Sequence, residues 1–221
     1  MRDFTKGTLK VLGWIAAGLA VVLVVLRVGF VDVITVGHNG MAPTIVAGEQ
    51  VALWRGAKIE TGDIALCAHP GQAGRYVLAR VIARVGQRVS SERGQLLVNG
   101  ETVMRDARGT MRFYDAATRH MARYDYSIEM FGNNKHPIFL SEHTTFELPE
   151  RRVRTGLFML GDNRGYRGED SRAYGEVDES TCKGVVFLRL VPVQAESVAD
   201  GEANGASMGD DLEHGWLDYL R

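Results

Sequence analysis

The sequence has few cysteines, almost no net charge and only one long hydrophobic run. Its two cysteines, Cys67 and Cys182, lack the spacing of metal ligands, which leaves two alternatives, one long-range disulfide or two unrelated buried thiols. A net charge of −1 over 221 residues gives no general attraction to nucleic acid, so none is predicted as a partner. The apolar fraction of 45% is ample for a folded domain.

The single hydrophobic run predicts a membrane anchor over residues 11–31. Arg27 is its one charged residue, and 21 helical residues span about 31 Å, enough to cross a bilayer. The preceding residues 1–10 carry three cations against one carboxylate, which predicts a cytoplasmic N-terminus and a body on the outer face. A cleavable secretory signal is the alternative, but the run is long for one and no Ala-x-Ala follows it closely.

Residues 32–193 lack the sustained apolar period of amphipathic helices. Short β-branched runs such as residues 31–36 and 75–85 alternate instead with glycine-containing turns. The pair Asn99 and Gly100 between two such runs is typical of a type I′ hairpin. We therefore predict a mostly β domain.

The C-terminal segment, residues 194–221, has a different composition. It is rich in small and acidic residues, with seven carboxylates against Arg221. This pattern predicts an acidic linker, followed by a short amphipathic helix or a frayed end.

Four stretches, in order, resemble the sequence motifs of the type I signal peptidases. They are GMAPTIVAGEQV from Gly40, TGDIALCAHP, YVLARVIARVGQRV and LFMLGDNRGYRGEDSRAYG. The fourth is the most specific; we call it the box, and its matching residues are Gly161, Asp162, Asn163, Arg164, Asp170, Ser171 and Arg172. A buried Asp–Arg pair in this box would brace the fold with or without chemistry.

The resemblance, which covers about residues 11–193, implies a fold and a location. The family has a β-barrel or sandwich core with a smaller inserted β region, here about residues 101–155, preceded by one transmembrane helix. It lies in the bacterial inner membrane, and its chemistry needs neither a cofactor nor a metal.

The resemblance also shows which catalytic positions have changed. The family's serine nucleophile corresponds to Gly40, and its lysine general base corresponds to Ala79. The hydroxyl that supports the lysine corresponds to Gly168, or to Arg167 if one extra residue is counted. Glycine and alanine can neither attack a carbonyl nor take a proton, so no intact catalytic residue is predicted.

We expect peptide binding to be retained although the catalytic groups are absent. His38 occupies the position of a hydroxyl that helps to bind the oxyanion in some members. The family's groove for an extended peptide would be lined here by Ile34, Val36, Met41 and Leu78. We therefore predict a catalytically inactive homologue that binds signal-peptide-like segments at a lipid bilayer.

Two alternatives stay open at this stage. One is an active peptidase with a rearranged site, in which His38 activates Thr44. The other is a non-enzymatic scaffold that binds a complete signal peptidase or the export machinery through the acidic tail.

Overall fold

The computed structural model describes residues 2–115, 120–131, 134–143, 145–192 and 197–199. The predicted tail therefore lies outside the described residues except at Ser197–Ala199, which form a strand. Strands dominate residues 31–192, and this confirms the prediction of a mostly β domain.

The chain begins with helix α1, Arg2–Gly29, and passes directly into strand β1, Val31–Thr35. Within the described residues, no helix combines the length and the apolarity that crossing a membrane requires, so the predicted transmembrane helix is not found. Helix α1 ends at Gly29, and Val31 already pairs with Trp54 in the sheet.

The main sheet has six antiparallel strands in the order β1-β2-β13-β3-β4-β12. Its strands after β1 are β2 (Gln50–Trp54), β3 (Ile64–Ala68), β4 (Tyr76–Ala83), β12 (Phe158–Leu160) and β13 (Cys182–Val191). β1 and β12 are its two edges, and no sheet of the described chain closes into a barrel. Of the predicted barrel or sandwich core, the barrel is thus wrong, because the three-residue β12 pairs with β4 alone within the sheet.

Two four-stranded sheets complete the domain. One has the order β10-β9-β8-β14 and contains β8 (Met104–Asp115), β9 (His120–Phe131), β10 (Asn134–Ser141) and β14 (Ser197–Ala199). The other has the order β11-β5-β6-β7 and contains β5 (Arg88–Glu92), β6 (Gln95–Val98), β7 (Glu101–Thr102) and β11 (Arg151–Arg152). Helix α2, Ser171–Tyr174, and two 3-10 turns, Asn39–Met41 and Glu179–Thr181, lie between strands.

The hairpin predicted at Asn99 and Gly100 is confirmed. Both residues have positive φ angles, 55° and 83°, and they join β6 to β7. The Asn99 side chain also accepts the backbone N–H of Arg88 at 2.9 Å, which ties the turn to β5.

The two cysteines form a disulfide between β3 and β13. Cys67 and Cys182 are directly opposite each other in the sheet, with their Cα atoms 3.8 Å apart. Of the two alternatives that the sequence left open, the simpler one of unrelated thiols is therefore wrong. The pairing depends on a strand register that links residues 115 positions apart, which spacing alone does not predict.

Candidate functional site

The loop that holds Gly40 connects β1 to β2 and is packed inside the domain. It contains a 3-10 turn over Asn39–Met41 and a cis peptide bond between Ala42 and Pro43. The side-chain oxygen of Asn39 accepts the backbone N–H of Ala47 at 2.8 Å, so the two ends of the loop are fastened together.

His38 closes this loop over Gly40. Its Nδ1 accepts the backbone N–H of Gly40 at 3.0 Å, and its ring stacks on Tyr166 with centroids 5.9 Å apart. A Cβ added to Gly40 would lie only 2.9 Å from two atoms of the His38 ring. The histidine therefore occupies the space that the first atom of any side chain at position 40 would need.

The other nitrogen of His38 faces a charged pair. Nε2 lies 3.8 Å from a carboxylate oxygen of Glu169, which is also bound by Arg75. Burial lowers the pKa of His38, and this outweighs the opposing effect of Glu169, while Arg75 lowers the pKa further. His38 is thus held neutral, the form in which Nδ1 can accept a hydrogen bond.

This geometry affects two groups that acyl transfer would use at this loop. Position 40 carries no nucleophilic atom, and its N–H, a candidate oxyanion donor, is engaged by His38. An oxyanion hole works through donors that are already aimed at the developing charge, so a donor engaged elsewhere contributes little.

The two positions that the resemblance matches to the family's lysine and its supporting hydroxyl carry no nucleophile or base. Ala79 is fully buried on β4, opposite Ala65. Gly168 is in an exposed turn with φ of 100°, and beyond its chain neighbours nothing lies within 4 Å of where its Cβ would be. Arg167, the alternative match, is also exposed. Neither position brings a hydroxyl or an amine to the loop.

Below the loop, the box is anchored by a buried ion pair. Both oxygens of Asp162 accept hydrogen bonds from Arg80, at 2.8 and 2.6 Å, and one also accepts the hydroxyl of Thr44. Burial alone would raise the pKa of Asp162, but Arg80 foremost holds that pKa below its ordinary value. The carboxylate is therefore ionised and structural.

A second buried pair continues this network. Arg164 donates to both oxygens of Glu129, at 3.2 and 2.6 Å. His136 lies between the two carboxylates, with Nε2 3.5 Å from Glu129 and 3.9 Å from Asp162. Its burial, reinforced by Arg80, lowers its pKa in spite of both carboxylates, which keeps the imidazole neutral.

The box holds the loop through backbone contacts. Asn163 donates its N–H to the carbonyl of Gly40 at 3.1 Å and its side-chain amide to the carbonyl of Asn39 at 3.2 Å. A Cβ on Gly161 would collide with that same Gly40 carbonyl, so only glycine fits there. Box and loop thus form one rigid unit.

The remaining box residues organise its own turn. Asp170 accepts the backbone N–H of Gly161 at 3.2 Å and pairs with Arg172 at 2.7 Å. The Ser171 hydroxyl accepts the backbone N–H of Met159 at 2.9 Å. All three contacts stabilise the end of β12 and none points to chemistry.

The residues predicted to line a groove are mostly in the core. Val36, Met41 and Leu78 are buried in the main apolar cluster, and half-buried Ile34 packs against it. What stays accessible is the edge of the sheet at β1, where the N–H of Val33 is bonded to the carboxylate of Asp32 at 3.0 Å.

The alternative in which His38 activates Thr44 gains no support. The Thr44 hydroxyl is buried against Asp162, and its backbone carbonyl accepts a hydrogen bond from Arg189. Its role is to hold the loop onto the box.

Sequence reasoning missed Glu129, His136, Arg75 and Glu169. The first two come from β9 and β10, and no local pattern connects them to the box. Glu169 did leave a signal, because it directly precedes the matching Asp170, in the turn with the extra residue. Within the described chain, no group of three or more histidine, cysteine or carboxylate side chains could hold a metal ion.

Comparison with known proteins gives one family. Residues 9–191 match the sequence model of the family described as signal peptidase, peptidase S26. A crystal structure of a signal peptidase I from Enterococcus faecalis V583 is similar, with 28% identity and a TM-score of 0.35; the match covers 58% of this chain and 97% of that one. A comparison with curated proteins found no match.

Proposed function

Because the chain belongs to the signal peptidase family, peptidase S26, we propose that it is a member that binds extended peptide without cutting it. The observation that carries the proposal is the contact of His38 Nδ1 with the Gly40 N–H, at the position of the missing nucleophile. Together with the buried Ala79, it leaves this loop without nucleophile, base or available oxyanion donor.

The edge strand β1 supports the binding half of the proposal. An extended peptide can add to the edge of an antiparallel sheet, with main-chain hydrogen bonds supplying affinity and pockets supplying specificity. The first four residues of β1 are partly buried and Thr35 is exposed, and Ile34 offers an apolar contact there. The Asp32 carboxylate, bonded to the Val33 N–H, would have to move for pairing to occur.

Cleavage and binding can be tested in the same reaction. The full chain is incubated with a fluorescent peptide that spans a signal-peptide cleavage site, and both anisotropy and product formation are followed. We expect saturable binding without product. The matched control peptide carries N-methyl groups at alternate residues, which preserves its side chains but removes strand pairing, and it should bind at least tenfold more weakly.

Two outcomes would contradict the proposal in different ways. Product formation by the unmodified chain would show that a different set of residues is catalytic. Equal binding of the N-methylated peptide would show that the peptide does not add to a strand.

We also propose that α1 attaches the β domain to the outer face of a membrane. Large side chains along the helix are exposed, among them Trp14 at 80% and Val28 at 69%. The disulfide of Cys67 and Cys182 suits an oxidising compartment. The full chain should pellet with membranes and resist carbonate extraction, whereas a chain that begins at Asp32 should not; a soluble full chain would refute the attachment.

A further inference from the structure

A cleft on the other side of the box turn has no role in the proposed function. Its volume is about 780 Å³, the size of a small-molecule site. The turn that follows Arg164 lies between this cleft and the loop that holds Gly40. Tyr166 and Glu169 of the turn face His38, whereas Arg167 lines the cleft. Whatever binds there would not need the position of the lost nucleophile.

The cleft is lined by four arginines, which fall into two groups. Arg164 and Arg172 are already engaged, with Glu129 and Asp170, and both guanidinium groups lie over the Phe146 ring, at 5.3 and 5.6 Å from its centroid. Both arginines are therefore held in place at the cleft by their own ion pairs.

The second group is Arg93, in the turn between β5 and β6, and Arg167. Both side chains are exposed at the cleft, and neither has an ion pair or side-chain hydrogen bond to any residue that the structure describes. A guanidinium group presents several donors in a planar fork that matches phosphate and carboxylate oxygens. Two such groups at one cleft are therefore available for an anion.

The remaining lining fits a phosphate that carries an organic group. The side chains of Ser141 and Thr145 add hydroxyl donors, and Leu140 and Pro149 contribute apolar surface. Among the described residues that line the cleft, Glu147 is the one carboxylate, and it is exposed. Because its negative charge repels an anion, a substitution of Glu147 tests whether the cleft binds one.

We propose that this cleft binds a phosphate-bearing small molecule or lipid headgroup, with Arg93 and Arg167 clamping the phosphate. The proposal does not depend on peptide binding at β1. The two arginines come from two separate turns that line the cleft, so they would bind the charged group while apolar side chains of the lining contact what is attached to it.

The test measures binding to the purified full chain by titration calorimetry. The probes are inorganic phosphate, glycerol 1-phosphate, and short-chain phosphatidylglycerol, with glycerol and short-chain phosphatidylcholine as the uncharged and zwitterionic counterparts. We expect binding of the anionic probes, weakened at least tenfold by the double substitution R93Q/R167Q. Glu147→Gln should instead tighten binding severalfold.

The matched control is the double substitution R108Q/R152Q, which removes the same charge from exposed arginines outside the cleft. It should bind as the unmodified chain does, and melting temperatures confirm that each variant is folded. Tighter binding of phosphatidylglycerol than of glycerol 1-phosphate would identify a lipid source, and equal binding a soluble one. No binding, or equal loss in both double variants, would overturn the proposal.

Discussion

Nδ1 of His38 accepts the backbone N–H of Gly40 at 3.0 Å, so the loop is closed by a side chain of its own. A side chain at position 40 would require the His38 ring to shift, because a Cβ there would be 2.9 Å from the ring. Restoring the family's serine is therefore not a matter of one atom. The ring of His38 has to move away from position 40 first.

This gives the first prediction, on restoring activity. The double variant G40S/A79K should cleave no preprotein above background, because the new serine side chain is in steric conflict with the His38 ring. Adding His38→Ser should remove that conflict, and cleavage should become measurable by gel assay. His38→Ser alone, which supplies no nucleophile at position 40, serves as the control. Equal cleavage by the double and triple variants would show that His38 is no obstacle.

The second prediction compares two Asp–Arg pairs in different environments. Asp162→Asn should lower the free energy of unfolding by about 3–5 kcal/mol, because Arg80 keeps its buried charge without a counterion. Asp106→Asn is the matched control, since its pair with Arg108 is about half exposed, and it should cost at most about 1 kcal/mol. Urea unfolding at neutral pH measures both, and equal costs would show that burial does not set the strength of these pairs.

Local chemistry made some features predictable from the sequence. The Asn99–Gly100 hairpin follows from two residues that tolerate positive φ, and the mostly β domain follows from short β-branched runs between turns. The assignment of Gly40 and Ala79 to the family's nucleophile and base stays a prediction, because it rests on motifs that were matched residue by residue.

Other features depend on which strands become neighbours, and a single sequence does not encode that in any local pattern. Glu129 meets Arg164 only because β9 is next to the box, and Cys67 meets Cys182 only through the register of β3 and β13. The barrel was wrongly predicted for the same reason, because closure of a sheet depends on which strands pair with each other. The burial of most of the predicted groove residues was not predictable either, because a motif match does not show which side chains the other strands cover.

The third prediction concerns the disulfide of Cys67 and Cys182. It links residues 115 positions apart. A cross-link over that separation lowers the entropy of the unfolded chain and so stabilises the fold by about 4–5 kcal/mol. Replacing both cysteines with alanine should lower the free energy of unfolding by a similar amount. Dithiothreitol should lower the melting temperature of the unmodified chain and leave the variant unchanged. A melting temperature that does not respond to reduction would show that the cross-link does not form.

The fourth prediction concerns stability between pH 7 and pH 5. His136 has a pKa below its ordinary value of 6.5, foremost because it is buried, and then because Arg80 is close. The unfolded chain therefore takes up a proton at a higher pH than the folded chain does. Unfolding consequently becomes easier as the pH falls below about 6.5, by at most about 1.4 kcal/mol per pH unit for one such group.

His38, whose pKa is also lowered, acts in the same direction. The carboxylates act elsewhere, because Asp162 and Glu129, with lowered pKa values, lose their stabilising contribution only as the pH falls below about 4. Urea unfolding at pH 7 and pH 5 should thus show a smaller loss in His136→Gln and in His38→Gln than in the unmodified chain, and the smallest loss in the double variant. If the double variant loses as much stability as the unmodified chain, neither histidine is held neutral by the fold.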